Sequence, residues 1–135
     1  MKSVVTSYFA TLIAFVVIDF VWLSLAAERL YRPTLREILL DGFRFAPAVV
    51  FYLVYAAGLV TLAVRPGLAA GSVRLVFQNG AIFGFCAYAT YDLTNQATLR
   101  NWTTSLTLAD IAWGTILSAS AAVAGFAVSI FAVHD

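Results

Sequence analysis

The sequence predicts an all-α polytopic membrane protein, a four-transmembrane-helix bundle in a single domain over residues 1–135. Three observations carry this reading. Of the 135 residues 62% are hydrophobic and 11% charged, with a mean hydropathy of +0.91, whereas a soluble domain carries roughly 25% charged residues. The apolar residues fall into four runs, each near the roughly 20 helical residues that cross about 30 Å of hydrocarbon. Within each run they are continuous rather than alternating, which disfavours a β-barrel.

The first span covers about residues 4–27 and is interrupted only by Asp19. Met1-Lys2, an apolar run and the small residues Ser24-Leu25-Ala26-Ala27 imitate a signal peptide. The run is longer than an ordinary signal core and contains Asp19 and Trp22, so it is read as a retained helix. A charged segment follows, with Arg29, Arg32, Arg36, Glu37, Asp41 and Arg44, and with Pro33 and Gly42 as breakers. Within it Thr34–Leu40 is expected to form a short interfacial helix, because Leu35, Ile38 and Leu39 share a face. The second span covers about 45–64 and is expected to stop at Arg65-Pro66-Gly67. The third begins after Gly71-Ser72 and covers about 73–94. The fourth follows Asn101-Trp102 and covers about 106–133.

Gly80 and Gly84 in the third span, and Gly114, Ser118 and Ala122 in the fourth, recur every four residues. Small residues at that spacing let membrane helices approach closely. Up-and-down order puts Arg29, Arg32, Arg36, Arg44 and Arg100 on one side, and Lys2, Arg65 and Arg74 on the other. The positive-inside rule then places the arginine-rich side in the cytoplasm and both termini outside.

Composition also excludes classes of function. A net charge of +1 leaves no basic stripe for phosphates, so no nucleic-acid partner is expected. The single cysteine, Cys86, cannot form an internal disulfide and is read as a packing residue. The single histidine, His134, is the penultimate residue, which argues against histidine-based metal or haem chemistry. Three Asp and one Asn make a weak case for a metal site, and none is expected. The sequence names no cofactor.

Polar groups in a membrane are costly and point to function by default. Here they share one half of the bundle. Asp19 and Trp22 lie late in the first span, and Tyr52 and Tyr55 early in the second. Tyr88, Tyr91, Asp92 and Asn95 lie late in the third, and Asp110 and Trp113 early in the fourth. Up-and-down order brings all ten to the arginine-rich side, while the opposite half reads as Val, Ala, Leu, Phe and Ser. Asp-x-x-Trp and Tyr-x-x-Tyr each occur twice, and residues three apart share a helix face. The competing structural readings are interfacial anchoring, which suits Trp102, headgroup contact for Asp92, and a helix N-terminal role for Asp110. Asp19 lies several residues from either helix end. Its expected partners are a tyrosine hydroxyl, an indole N–H or a second carboxyl sharing a proton.

The runs Asp19-Phe-Val-Trp22-Leu23, Phe51-Tyr52 with Tyr55 and Gly58, Gly80-Ala-Ile-Phe-Gly84, Tyr88-Ala-Thr-Tyr91-Asp92-Leu-Thr-Asn95, Ala97-Thr-Leu-Arg-Asn-Trp102 and Asp110-Ile-Ala-Trp113-Gly114 together resemble one family. It is a family of small four-span bacterial inner-membrane proteins catalogued as a domain of unknown function, and the resemblance covers nearly the whole chain. It implies a multi-pass protein of the bacterial inner membrane, in a lipid or redox setting beside lipid-modifying enzymes of the cyclopropane-synthase type. It assigns no reaction.

The leading expectation is a polar, aromatic pocket in one leaflet. It would bind a small amphiphile or lipid headgroup, or move a proton-coupled solute, with membrane lipid as the partner. An alternative is an intramembrane enzyme or accessory subunit in lipid modification, with Asp19 or Asp110 as general acid or base. A third is a structural subunit that packs as a homo-oligomer or within a larger membrane complex.

Overall fold

The computed structural model of the chain describes residues 2–36 and 44–134, and every regular element among them is a helix. The four long ones are α1 (Lys2–Ala26), α2 (Phe45–Leu59), α3 (Val73–Thr98) and α4 (Thr104–His134). α1 runs on through a π-helical turn, Ala27–Tyr31, into the short helix Arg32–Leu35. α2 does the same through Val60–Val64 into Arg65–Ala70. Three stretches are long and apolar enough to cross a membrane: Val4–Leu35, Phe45–Ala70 and Thr104–Ala132. α3 is less apolar, because it carries Arg74, Gln78, Asn79, Asp92, Asn95 and Gln96. It completes the bundle by packing along α4.

Cross-helix contacts fix the antiparallel arrangement. Ser7 near the start of α1 meets Ser129 near the end of α4, with their hydroxyls 2.7 Å apart, while Asp19 meets Trp113. On α3, Gly80 lies against Ser118–Ala122 and Gly84 against Gly114 and Ser118. A Cβ at Gly84 would run into the Gly114 carbonyl oxygen, and one at Gly114 into the Tyr88 ring. The expected small-residue faces are therefore the α3–α4 seam, where close backbone approach gives dispersion contact in a solvent with no hydrophobic effect.

α1 shows how the bundle is sorted. Ser7, Thr11, Phe15 and Asp19 recur every four residues and are buried, whereas Phe9, Ile13, Val17 and Phe20 are exposed. The exposed face is the apolar one, as a hydrocarbon solvent requires. The half of the bundle expected to be featureless instead holds a seam of hydroxyls. Ser129 donates back to Gly125 O at 2.7 Å, and the Thr11 side chain lies where a Cβ on Gly125 would go.

Arg65-Pro66-Gly67 does not end the second helix, contrary to the sequence expectation. Proline breaks a helix by removing one N–H and by pushing on the carbonyl four residues back. A π-helical turn bonds five residues back and opens that space. Pro66 follows the π turn Val60–Val64, and Pro33 likewise follows Ala27–Tyr31. The second helix ends at Gly71, whose φ of +63° is the left-handed conformation glycine favours. Of the expected interfacial helix Thr34–Leu40, Thr34 and Leu35 belong to the helix Arg32–Leu35. The remainder, with Ile38 and Leu39, lies outside the described residues, as do Glu37 and Asp41. Cys86 is exposed rather than a packing residue.

Candidate acid–aromatic site

Helix periodicity turns Asp19 and Trp22 of α1, Tyr52 and Tyr55 of α2, Tyr88 and Asp92 of α3, and Asp110 and Trp113 of α4 toward one another. Asp19 is only 7% exposed and accepts two hydrogen bonds from other helices. The Tyr52 hydroxyl donates to its Oδ2 at 2.8 Å and the Trp113 indole N–H to its Oδ1 at 3.3 Å. Trp113 also stacks on Trp22, with ring centroids 4.6 Å apart and planes 11° from parallel. The two Asp-x-x-Trp motifs thus meet face to face across α1 and α4.

A second chain of bonds leaves Trp22 on its other side. Its indole N–H donates to the Tyr31 hydroxyl at 2.9 Å, and Tyr31 donates to Asp110 Oδ1. Asp110 lies within the second turn of α4, so it does not cap the helix. That role belongs to Thr103, whose hydroxyl accepts from the Leu106 N–H at 3.2 Å. Beyond Asp110 lies Asp92. It is 0% exposed, so it does not reach headgroup water, and its carboxyl lies beside that of Asp110. Neither carboxylate oxygen of Asp92 has a hydrogen-bond donor among the described residues. Two carboxyls offer only acceptors unless a proton or an outside donor joins them.

Tyr88 packs its ring on Gly114 and meets Tyr55 edge-on at 6.2 Å. Tyr55 is tied to Ser118 by a 2.6 Å bond between hydroxyls. Eight of the ten candidates therefore converge: Asp19, Trp22, Tyr52, Tyr55, Tyr88, Asp92, Asp110 and Trp113. Tyr91 and Asn95 do not join them. Tyr91 is exposed and packs edge-on against Trp102 at 5.7 Å. The Asn95 side chain pairs with Tyr91 instead. Trp102 is buried rather than an interfacial anchor, donating to Thr107 at 2.9 Å and packing with Leu35 and Leu106. Leu30 and Tyr31 pack against that cluster.

Tyr31 and Ser118 were not among the expected site residues. Nine residues of ideal α-helix turn through about 900°, which would point Tyr31 away from Trp22. The π turn Ala27–Tyr31 changes that register, and no feature of the sequence announced it. Ser118 was legible only as a packing residue of the small-residue stripe.

One residue of the site, Tyr55, borders an opening between helices. α2 contacts α3 mainly through its π-helical continuation. The gap leaves a lateral groove of about 750 Å³, lined by Val50, Phe51, Val54, Tyr55, Gly58 and Phe83. Tyr55 is its inner wall, and the Tyr55–Tyr88 contact leads from it toward the acids.

No curated protein and no solved structure matches the chain. A family model described as "Predicted membrane protein (DUF2177)" matches residues 4–127, nearly its whole length. The chain is an all-helical integral membrane protein and belongs to the DUF2177 family.

Proposed function

We propose that this protein binds a small amphiphile from within the membrane, with the hydrocarbon chain in the α2–α3 groove and the polar head at the acid–aromatic site. The observation that carries the reading is Asp92. A polar group buried without a partner costs free energy that a purely structural cluster would avoid. Asp19 shows what a satisfied acid in this bundle looks like, with one phenol and one indole donating to it. Asp92 is two helices away, fully buried and without a donor among the described residues. An incoming head with N–H or O–H groups would complete it. The α2–α3 groove reaches Tyr55 and is the entrance in this reading.

The structural-subunit reading accounts for the bonds of Asp19 and for the α3–α4 seam but leaves Asp92 unexplained. Native mass spectrometry of protein extracted in a mild detergent separates the two. The binding reading expects a copurifying amphiphile mass that is lost from Asp92→Asn and from Val54→Trp, which fills the groove. Bare protein from native membranes, or an adduct indifferent to both substitutions, would contradict it.

A further inference from the structure

The chemistry around Asp92 narrows the kind of head the site takes. Asp92 and Asp110 present carboxyls to each other, and Tyr31 supplies a single hydroxyl to Asp110 Oδ1. Asp19 adds a third buried acid on the far side of the Trp22–Trp113 stack. Among the described residues no lysine or arginine pairs with any of the three, and the described ion pair is Arg32–Glu28. A buried site of this sign repels phosphate and carboxylate heads and attracts cations.

The surroundings favour a nitrogen cation. Tyr31 bonds Asp110 and Trp22 bonds Tyr31, so aromatic side chains border the pair, and aromatic rings attract ammonium groups. Ca²⁺ takes six to eight oxygen ligands. No three acidic, histidine or cysteine side chains among the described residues converge in a metal-holding group. A primary ammonium carries three N–H donors, enough for both unpartnered oxygens of Asp92 and one oxygen of Asp110. A quaternary ammonium carries none and would leave Asp92 as it is.

We infer that the Asp92–Asp110 pair is a seat for the primary ammonium group of an amphiphile. This rests on the amphiphile-binding reading and names its headgroup.

The test uses the full chain in dodecyl maltoside, with the emission of its three tryptophans, two of them at the site, as the readout. Four probes of equal chain length are titrated: dodecylamine, dodecyltrimethylammonium, dodecanol and dodecyl phosphate. Dodecylamine is expected to bind saturably and at least about tenfold more tightly than the other three, the scale of one charge-assisted hydrogen bond. Asp92→Asn is expected to bring dodecylamine down to the level of dodecanol while leaving dodecanol unchanged. Dodecyltrimethylammonium, dodecanol or dodecyl phosphate binding as tightly as dodecylamine overturns the ammonium assignment and leaves amphiphile binding standing. Saturable binding by none of the four overturns amphiphile binding as well. The wild-type ranking decides the matter by itself, so a variant that fails to fold does not protect the proposal.

Discussion

At the scale of single residues, the three buried acids differ in what surrounds them. Asp19 has two donors, Asp110 has one from Tyr31, and Asp92 has none among the described residues. Stability and function should therefore part company at Asp92. Asp92→Asn keeps the shape, supplies an amide donor toward Asp110 and removes a buried charge, so its thermal unfolding midpoint in detergent should stay level or rise while binding falls. Tyr52→Phe should behave oppositely. Loss of its hydroxyl leaves Asp19 one donor short, at a cost of about 1.5–3 kcal/mol measured by reversible denaturant unfolding. Asp19 was legible in the sequence because an acid far from both helix ends has few alternatives to an internal partner. Tyr91 was misplaced because it lies about 60° round the helix from Tyr88 on the side away from Asp92, and so about 100° from Asp92. That separation let Tyr88 face the acids while Tyr91 faced out.

At the scale of helices, two devices decide what the site can be. The α3–α4 seam brings Tyr88 onto Gly114, and its glycines were readable from their four-residue spacing alone. Gly114→Ala would push a methyl into the Tyr88 ring. It should destabilise the protein by about 1–3 kcal/mol as an overpacked core does, read from the same unfolding curves, and it should displace Tyr88 from the acids. The second device is the π turn before each Arg-Pro pair, Arg32-Pro33 and Arg65-Pro66. Proline read by its usual rule predicts a stop, so the sequence reading ended the second helix too early and missed the turn that aims Tyr31. The antiparallel register has its own check. In a Cys86→Ser background, Ser7→Cys with Ser129→Cys should cross-link on mild oxidation, because the two hydroxyls are 2.7 Å apart. Ser7→Cys with Thr107→Cys, at opposite ends of the bundle, should not.

For the whole molecule, composition and run length were enough to read an all-helical membrane bundle, since each long apolar helix leaves few soluble alternatives. The segregation of Asp, Tyr and Trp to one half was readable from up-and-down order. The lateral groove was not, because it arises from α2 diverging from α3, which depends on helix tilt and leaves no periodic trace. Orientation follows from the arginines: the acid-bearing end, beside Arg29, Arg32, Arg36 and Arg100, should face the cytoplasm. Cysteines introduced singly at Thr103 and near His134, in the Cys86→Ser background, should then differ, with only the latter labelled from outside by an impermeant maleimide.

The proposed function requires one arrangement: a chain in the α2–α3 groove with its head at Asp92 and Asp110. A high-resolution map of the protein purified in native lipid tests it most directly. The account predicts elongated density along Val50, Val54 and Phe83, ending in a compact feature within hydrogen-bond distance of the Asp92 carboxylate. A groove sealed by direct α2–α3 packing, or an Asp92 satisfied by another side chain of the protein, would contradict it.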